Sequence, residues 1–320
     1  MTMKLMLVAG ARPNFMKIAP LWWEIQRRDD VDAVLVHTGQ HYDEKMSRRF
    51  FVELGLPTPD VNLEVGSASH AVQTAEVMKR FEPVVLSHRP DAVIVVGDVN
   101  STLACALTAV KLGVKVAHVE AGLRSHDRSM PEEINRIVTD AISDWLFVSE
   151  PSGVANLEAE NVPAERIRLV GNVMIDTLIA SGPRIARSGI LDTLGVVAGR
   201  YGVVTLHRPA NVDQPEVFHN LMRALAELQT ELPLVFPVHP RTRQALARVE
   251  AMPNLILTEP MGYYDFMRLV GDARFVLTDS GGVQEETTYL GVPCLTMREN
   301  TERPITITHG TNRLVGRDPD

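Results

Sequence analysis

The amino-acid sequence predicts an α/β fold with two Rossmann-like, doubly wound domains, each built on a parallel sheet. Short apolar runs alternate with helix-length amphipathic segments, and the runs are rich in Val, Ile and Leu without polar–apolar alternation. Strands buried on both faces of a parallel sheet have this composition. The alternation of such strands with helices is typical of doubly wound folds.

The apolar runs predicted to be strands occur in both halves of the chain. They cover residues 4–9, 33–37, 92–96, 115–119, 145–148, 202–206, 234–238, 254–257, 274–278 and 293–296. The segments between them are predicted to be helices; in residues 219–232, for example, Leu221, Leu225 and Leu228 lie at helical spacing. Residues 14–28 are also predicted to be helical, with Pro20 causing either a kink or a late start.

The strand–helix rhythm is interrupted between residues 171 and 200. This segment contains Gly182 followed by Pro183, and further glycines at 189, 195 and 199. We interpret it as the connector between two similar α/β domains. The sequence therefore predicts an N-terminal domain over residues 1–170 and a C-terminal domain over residues 171–320.

The composition argues against several classes of protein. The chain has 320 residues, a formal net charge of -8, 45% hydrophobic residues and 22% charged residues. The negative charge argues against broad binding to nucleic acid, which needs a basic face, although a local pocket can still hold a small anion.

No apolar stretch reaches the roughly 18 residues of a membrane span, and no signal-cleavage pattern is found. A cytoplasmic protein without a membrane partner is therefore expected. Cys105 and Cys294 do not make a disulfide framework.

Polar side chains follow several of the predicted strands directly. Asp98, Glu120, His207, His239 and Ser280 come just after the runs that end at residues 96, 119, 206, 238 and 278. In open parallel sheets, ligands bind outside the carboxyl ends of the strands. These side chains are therefore predicted to line the active edges of two sheets, and one cleft would collect them if the edges faced each other.

Each of these residues also has a structural interpretation. Asp98 would cap a helix that starts near Asn100, and His207 and His239 would be ordinary loop histidines. The two histidines would alternatively ligate a metal, but neither an HExxH-like spacing nor a nearby carboxylate cluster supports this, so no metal site is predicted. Glu120 is harder to explain structurally, because a carboxylate directly after a buried strand is costly unless it is paired or used.

The segment from Asp279 to Glu286 has the features of a phosphate-binding turn. Gly281 and Gly282 would let a ligand approach the backbone where a strand turns into a helix, and the N–H groups at the helix start favour phosphate. Glu286, one turn further on, is placed to accept the hydroxyl protons of a ribose. The structural alternative is a plain glycine turn with Ser280 as the helix cap.

The turn after the first predicted strand contains two cations, Arg12 and Lys17. It lacks the GxGxxG pattern of dinucleotide binders and the GxxxxGK(S/T) pattern of a P-loop. Arginine suits diphosphate oxygens through bidentate hydrogen bonds, and lysine suits them as a point charge. The alternative is that both are ordinary surface charges.

Together these segments resemble the UDP-N-acetylglucosamine 2-epimerase family of the non-hydrolysing kind. The matching motifs occur in order along nearly the whole chain, and the ordered set is far more specific than any single motif. They are GARPNFMKIAP, HTGQHYD, VGDVNSTLA, HVEAGLRS, PEEINR, LVGNVMIDTL, LHRPANVD, PVHPRT, TDSGGVQEE, TERPIT and GTNRLVG. The resemblance implies a fold of the glycosyltransferase-B kind, in which two Rossmann-like domains hold a sugar nucleotide in their cleft.

The family motifs also imply roles for individual residues. The catalytic residues would be Asp98, Glu120, Glu132 and His207. The substrate-binding residues would be Arg12, Lys17, Arg136, His239, Phe266, Ser280, Gly281, Gly282 and Glu286. The C-terminal domain would hold the nucleotide. No cofactor is expected, because the implied reaction has no net electron transfer.

The resemblance implies an isomerase that interconverts UDP-N-acetylglucosamine and UDP-N-acetylmannosamine by elimination and re-addition of UDP through 2-acetamidoglucal. It also implies a homodimer and a role in polysaccharide biosynthesis. Three alternatives stay open: a hydrolysing epimerase, a glycosyltransferase, and an inactive protein that binds sugar nucleotides. Hydrolysing relatives commonly carry GDR where this chain has GDVNST, which favours retention of UDP.

The chain departs from the family pattern at several places. Arg208 is followed by Pro209, Ala210 and Asn211, where many bacterial members have HRxEN. QHYDEKM replaces the QHxEM pattern that is associated with an allosteric substrate site, so that regulatory site is not expected. Family members continue through further helices after GTNRLVG, so a C-terminal truncation of this chain is expected.

Overall fold

The structure of the chain, a computed structural model, describes residues 2–39, 44–246, 249 and 251–317. Its contacts divide the chain into two compact units, Met1–Ile179 and Ala180–Asp320, which we call unit 1 and unit 2. The sequence-based domain boundary after residue 170 stays a prediction. Among the described residues, no helix is long and apolar enough to cross a membrane.

Unit 1 is built on a parallel sheet. Its strands are β1 (Met3–Ala9), β2 (Val31–His37), β3 (Val61–Asn62), β4 (Ala92–Val96), β5 (Lys115–Ala121), β6 (Trp145–Val148) and β7 (Ile167–Leu169). Its helices are α1 (Arg12–Ile25), α2 (Glu44–Glu53), α3 (His70–His88), α4 (Asn100–Lys111), α5 (Pro131–Ile142) and α6 (Pro151–Ala159), and α7 (Val173–Ile185) spans the division between the units. The strand order is β3-β2-β1-β4-β5-β6-β7.

Unit 2 is built on a second parallel sheet. Its strands are β8 (Gly202–Thr205), β9 (Leu234–Pro237), β10 (Leu255–Thr258), β11 (Phe275–Thr278), β12 (Cys294–Thr296) and β13 (Asn312–Leu314). Its helices are α8 (Ile190–Leu194), α9 (Pro209–Val212), α10 (Pro215–Glu231), α11 (Pro240–Leu246), α12 (Tyr263–Gly271), α13 (Gly281–Leu290) and α14 (Ile305–Thr308). The strand order is β10-β9-β8-β11-β12-β13.

These two sheets confirm the predicted α/β fold with two doubly wound, Rossmann-like parts. Every apolar run that was predicted to be a strand contributes one. The strands that the sequence analysis missed, β3, β7 and β13, are two or three residues long and lie at sheet edges. In each sheet the strand order reverses beside the first strand, between β1 and β4 and between β8 and β11. Ligands of such folds bind at the carboxyl ends of the strands at this switch point.

Each unit has its own apolar core between the sheet and its helices. In unit 1, Phe81 of α3 and Cys105 of α4 are fully buried in one cluster with Val95 of β4. In unit 2, Leu225 of α10 is buried in a cluster with Phe236 of β9. Burial of this kind supplies about 25 cal/mol per Å² of apolar surface and holds each sheet edge in place.

Helix α1 begins at Arg12 and runs through Pro20, so the late start expected from Pro20 is wrong. A proline within a helix removes the N–H that would bond to the carbonyl group four residues earlier, which here is that of Met16. The buried hydroxyl group of Thr177 donates to this Met16 oxygen at 2.6 Å. A side chain from α7 therefore replaces the hydrogen bond that Pro20 cannot make.

Candidate functional site

The carboxyl ends of β1, β4 and β5 gather charged side chains at the switch point of unit 1. Lys17 of α1 and Glu120 of β5 form an ion pair, and both are buried, with relative exposures of 4% and 7%. The Lys17 ammonium group lies beside Gly97, which follows β4; a Cβ atom at Gly97 would come within 2.8 Å of Lys17 Nζ. Buried charges need such pairing, because removing one partner leaves an uncompensated charge.

The backbone at Glu120 has a conformation that is rare for residues other than glycine. Its φ is 73°, in the left-handed region. Glu120 is also the extra residue of a β-bulge, because Val119 pairs with Phe147 of β6 whereas Ala121 pairs with Val148. Bulges next to functional sites re-aim side chains, and strained backbone persists where its surroundings over-determine it. The bulge therefore sets the direction in which the Glu120 carboxylate leaves the strand.

Asp98, in the turn after β4, contacts a buried arginine. Arg136 of α5 donates to Asp98 Oδ2 at 2.5 Å and to Glu133 Oε2 at 2.6 Å. The N-cap residue of α4 is Val99, and this helix end has no side-chain cap hydrogen bond. By position Val99 is therefore the N-cap, the interpretation of Asp98 as a helix cap stays a prediction, and the bond from Arg136 adds Asp98 to the charged edge.

Glu133 is a site residue that the sequence analysis missed. Its carboxylate accepts the backbone N–H groups of Ser125 and His126, each at 2.9 Å, in addition to the bond from Arg136. Burial acts to raise the Glu133 pKa, but these donors outweigh it and hold the pKa below its ordinary value. Glu132, the predicted catalytic carboxylate, is half-buried in the first turn of α5. The i,i+3 spacing of Glu133 and Arg136 was the sequence signal for this ion pair.

Parts of the predicted site lie outside the described residues. Arg12 begins α1, but the structure does not describe its side chain. Residues 40–43 of the HTGQHYD motif also lie outside the described residues. The role predicted for Arg12 stays a prediction. Within the described part of the chain, no group of three or more His, Cys, Asp and Glu side chains could hold a metal ion.

In unit 2, the carboxyl ends of β8 and β11 bring His207 and Asp279 together. His207 Nδ1 lies 2.8 Å from Asp279 Oδ1, and the Asp279 carboxylate also accepts the backbone N–H groups of His207 and Arg208. Burial acts to raise the Asp279 pKa, but the His207 ring and these N–H groups outweigh it and lower the pKa to about 2. Asp279, to which the sequence analysis assigned no role, therefore orients the His207 ring, whose side chain is 43% exposed.

His239 and Phe266 are the other two predicted residues of unit 2 outside the glycine turn. The ring centroids of His239 and His207 are 6.0 Å apart. Phe266 is half-buried on α12, one turn after Tyr263, whose hydroxyl group donates to Glu286 Oε1 at 3.2 Å. The structure thus brings His239 close to His207, whereas Phe266 is only placed on the helix that carries Tyr263.

The glycine turn after β11 starts helix α13. Ser280 is the N-cap residue by position, although its side chain makes no cap hydrogen bond, and Gly281 and Gly282 form the first helical turn. A Cβ atom at Gly281 would lie 2.4 Å from Arg303 Nη1 and 2.5 Å from Glu302 Oε1, so a larger residue does not fit without a shift. Backbone N–H groups at such a helix start favour an anionic group.

Glu286 is buried one turn into α13. Burial raises its pKa to about 8, the hydrogen bond from Tyr263 acts to lower it, and the charge of Glu285 raises it further. The carboxyl group therefore holds its proton to a higher pH than an ordinary glutamate does. A buried carboxyl group beside a helix start can bond to the hydroxyl groups of a ligand.

Three arginines that the sequence analysis did not predict lie near the glycine turn; Arg298 and Arg303 are buried, and Arg208 is half-buried. Arg303 pairs with Glu285 at 2.9 Å and also with Glu302. Arg298 pairs with Glu302 at 2.8 Å, and Arg208 lies 3.7 Å from Glu302. Together with Asp279, which accepts the Arg208 N–H group, Glu285 and Glu302 set three carboxylates against these three guanidinium groups beside α13.

The structure therefore separates the predicted residues into two groups. Unit 1 carries Lys17, Asp98, Glu120, Glu132 and Arg136. Unit 2 carries His207, His239, Phe266, Ser280, Gly281, Gly282 and Glu286. The first group places carboxylates against cations, which suits proton transfer, and the second offers a helix start and arginines, which suit phosphate.

Comparisons with known proteins match the whole chain or nearly so. The model of the UDP-N-acetylglucosamine 2-epimerase family matches residues 23–320. A Methanococcus maripaludis protein described as a UDP-N-acetylglucosamine 2-epimerase homolog is 45% identical, over 98% of this chain and 89% of its own length. A Pseudomonas aeruginosa protein described as a UDP-2,3-diacetamido-2,3-dideoxy-D-glucuronate 2-epimerase is 41% identical, over 98% of this chain and 88% of its own length.

A solved structure is similar as well. The crystal structure of the Methanocaldococcus jannaschii UDP-GlcNAc 2-epimerase in complex with UDP-GlcNAc and UDP has a TM-score of 0.94 and 40% sequence identity. The match covers 99% of this chain and 90% of that chain.

Proposed function

Since this chain belongs to the UDP-N-acetylglucosamine 2-epimerase family, a family of isomerases, we propose that it interconverts UDP-N-acetylglucosamine and UDP-N-acetylmannosamine without releasing a free sugar. The observation that carries the proposal is the charged edge of unit 1, where Lys17 pairs with Glu120 and Arg136 pairs with Asp98. The glycine turn and arginines of unit 2 support it, because they suit a nucleoside diphosphate.

The proposed reaction is an elimination followed by an addition. Carbon 2 of the sugar is not next to a carbonyl group, so its proton is not acidic enough for simple removal. A carboxylate takes the proton from carbon 2 while the bond from carbon 1 to the UDP oxygen breaks, which gives 2-acetamidoglucal and UDP. A proton then adds to carbon 2 from the opposite face, and the UDP oxygen bonds to carbon 1 again.

In this proposal the carboxylates of unit 1 transfer the protons. Asp98, Glu120 and Glu132 are the candidates, because they lie at or beside the switch point where ligands of this fold bind. A general acid or base works through direct contact with the proton it moves, and this typically contributes 10²–10⁴-fold in rate. The bulge at Glu120 and the bond from Arg136 to Asp98 hold two of these groups in defined positions.

The charge that develops on the departing UDP needs donors in fixed positions. The Ser280–Gly282 turn and the His207 ring, oriented by Asp279, are the proposed donors in unit 2. Arg12 and Lys17 are the proposed cations in unit 1. Glu286 is the proposed partner of the ribose hydroxyl groups.

The Pseudomonas aeruginosa relative supports a second candidate substrate. Its name gives UDP-2,3-diacetamido-2,3-dideoxy-D-glucuronate as the sugar nucleotide, and its sequence is 41% identical to this chain. That substrate also carries an acetamido group at carbon 2, so the same elimination applies to it. It differs by an acetamido group at carbon 3 and a carboxylate at carbon 6.

The proposal includes a cytoplasmic homodimer, as the family resemblance implies, and a product that is used for polysaccharide biosynthesis. Sedimentation velocity at micromolar concentration tests the dimer. A species with the mass of one chain under these conditions would remove this part of the proposal without affecting the reaction.

The reaction is tested by incubating the protein with UDP-N-acetylglucosamine in deuterated water and following the sugar protons by NMR. We expect new signals of UDP-N-acetylmannosamine, with deuterium entering carbon 2 of both sugars. The diacetamido glucuronate nucleotide is tested in a parallel sample. Asp98→Asn serves as the matched protein control, since it removes one proposed proton-transfer group while keeping its size.

Each other outcome contradicts the proposal in a different way. Free N-acetylmannosamine with UDP would assign the protein to the hydrolysing class. Exchange with only the diacetamido substrate would keep the reaction and change the sugar. Binding of UDP without exchange in any sample would favour a sugar-nucleotide-binding protein without epimerase activity.

A further inference from the structure

A buried polar network lies behind the charged edge of unit 1 and takes no part in the proposed chemistry. His118, within β5, and Asp140, near the end of α5, are fully buried, and His118 Nδ1 lies 2.6 Å from Asp140 Oδ1. Arg124 Nη1 lies 2.7 Å from the other carboxylate oxygen, Asp140 Oδ2. Buried polar networks rigidify their surroundings when every member has a partner.

This network reaches the two turns that carry site carboxylates. His118 Nε2 lies 2.8 Å from the carbonyl oxygen of Gly97, in the turn between β4 and Asp98. Asp140 Oδ2 accepts the Gly122 N–H group at 3.0 Å, directly after β5 and its bulge. A single pair of side chains therefore bonds to the backbone beside both carboxylates.

Both ring nitrogens of His118 face hydrogen-bond acceptors. The carbonyl oxygen of Gly97 can only accept. Burial acts to raise the Asp140 pKa, but the His118 and Arg124 charges outweigh it and hold the pKa below its ordinary value, so Asp140 is a carboxylate. The His118 ring therefore bridges the Asp140 carboxylate and the Gly97 carbonyl oxygen.

Two other hydrogen bonds also hold the turns after β4 and β5. Asn156 donates to the Gly122 carbonyl oxygen at 2.9 Å. The Gly97 N–H group bonds to the Val119 carbonyl oxygen at 3.0 Å, which joins the turn after β4 to the residue before the bulge. The His118–Asp140 pair connects these two turns from the side that faces α5.

We propose that His118 and Asp140 are positioning residues that fix the separation and direction of Asp98 and Glu120. The inference rests on the proposed function, because its effect on rate requires that these carboxylates move protons. A misplacement of about 1 Å in an active site can cost about 10²-fold in rate. A pair that ties both turns together limits such movement without contacting the substrate.

Asp144 supplies a matched control for Asp140. It also bonds to the backbone of β5, accepting the Val116 N–H group at 2.9 Å, and it pairs with Lys115 at 2.6 Å. These bonds lie at the amino end of β5, away from the charged edge. Asp140→Ala and Asp144→Ala therefore remove the same kind of bond from opposite ends of one strand.

Asp140→Asn is the conservative second variant, and it can keep every bond. Its amide oxygen can accept from Gly122 and Arg124, while its amide nitrogen donates to Nδ1 of a neutral His118 ring. The ring then keeps a hydrogen on Nε2 for Gly97. This variant changes the charge of the pair and preserves the bracing. His118→Phe keeps a ring of similar size and removes both of its hydrogen bonds.

The experiment measures kcat and KM for epimerisation in these full-length variants and compares backbone amide shifts by NMR without substrate. We expect His118→Phe and Asp140→Ala to lower kcat by about 10- to 100-fold with KM changed less than about threefold. Asp144→Ala and Asp140→Asn should keep kcat within about fivefold of the parent.

Three results would overturn the inference. The first is an unchanged kcat in folded His118→Phe. The second is a loss of kcat in Asp140→Asn as large as in Asp140→Ala, because the loss of activity would then come from the lost charge and not from lost hydrogen bonds. The third is amide shifts of Gly97, Asp98, Glu120 and Gly122 that do not move in His118→Phe. The amide shifts are measured without turnover, so they test whether the pair positions the two turns even if the parent protein does not epimerise. Absence of epimerisation in the parent would contradict the proposed function and leave the positioning role to the amide shifts.

Discussion

At the scale of single residues, Glu286 shows how the fold changes the chemistry of a carboxyl group. Its position on α13 places it beside Glu285 and away from solvent, and burial raises its pKa to about 8. Tyr263 donates to it and limits this rise. The ordinary value of such a group is 4.5, so the folded chain keeps a proton that the unfolded chain loses.

This difference predicts a pH dependence of stability that Glu286→Gln removes. Between pH 4.5 and about 8 the folded state binds more protons at this position than the unfolded state, so its contribution to stability falls as pH rises through that window. The free energy of unfolding of Glu286→Gln, relative to the parent, should therefore rise by on the order of 2–4 kcal/mol between pH 5 and pH 8. Urea unfolding at the two pH values measures it.

The exposed residue Glu227 on α10 supplies the control, and Glu227→Gln should show almost the same difference from the parent at both pH values. An equal response of the two variants would show that Glu286 is ionised in the folded protein at pH 7.

The residue scale also shows what the sequence could predict. Side chains that follow a buried strand were found correctly as members of the charged edge, as for Asp98 and Glu120, because strand ends in a parallel sheet share an edge. Their partners were not found. The PEE motif contains two adjacent carboxylates, and the choice of Glu133 as the one that Arg136 contacts depends on the rotation of α5 against the sheet. The role of Asp279 likewise depends on the packing of β8 beside β11.

At the scale of elements, the bulge in β5 is held by close contact with α6. Gly122 has a φ of 80°, and a Cβ atom there would lie 2.4 Å from the carbonyl oxygen of Gly153, in the first turn of α6. Gly113 has a similar φ of 75°, but a Cβ atom there would meet nothing within 4 Å. The two glycines therefore separate the effect of backbone strain from the effect of crowding.

We expect Gly122→Ala to be clearly more destabilising than Gly113→Ala. The left-handed backbone costs a residue with a side chain about 1–2 kcal/mol at either position. Crowding against a backbone atom should add about 1–3 kcal/mol at Gly122 alone. Urea unfolding of the two variants at one pH measures the difference. Equal losses of stability in the two variants would show that α6 moves away from the bulge with no loss of unfolding free energy.

The elements themselves were largely predictable from sequence, for a physical reason. Central strands of a parallel sheet are apolar on both faces, so a run such as residues 92–96 stands out, and its bounds match β4 (Ala92–Val96). The edge strand β13 (Asn312–Leu314) has one neighbouring strand and needs no apolar run. The continuation of α1 through Pro20 was not predictable, because the compensating hydrogen bond comes from Thr177, which is far away in sequence.

At the scale of the whole molecule, the proposed function is divided between the two units. The residues proposed to move protons lie in unit 1, whereas the residues proposed to hold the nucleotide lie mainly in unit 2. The sequence predicted Asp98, Glu120, His207, His239 and Ser280 from strand ends, whereas Glu132, Arg136 and Phe266 were implied by the family resemblance. It could not show how the charge is distributed: the net charge of -8 does not reveal that Arg208, Arg298 and Arg303 gather beside α13.

This division predicts that single substitutions separate nucleotide binding from chemistry. Asp98→Asn should lower kcat with UDP-N-acetylglucosamine by at least about 10²-fold, because a general acid or base typically contributes 10²–10⁴-fold, while the Kd for UDP stays within about threefold of the parent value. Glu286→Ala should raise the Kd for UDP by about 10-fold or more, since a hydrogen bond to a ribose hydroxyl group is lost. Titration calorimetry with UDP and turnover at saturating substrate measure the two quantities in the same preparations. If Asp98→Asn lost UDP affinity in proportion to kcat, Asp98 would serve nucleotide binding, and the assignment of proton transfer to unit 1 would have to rest on Glu120 and Glu132.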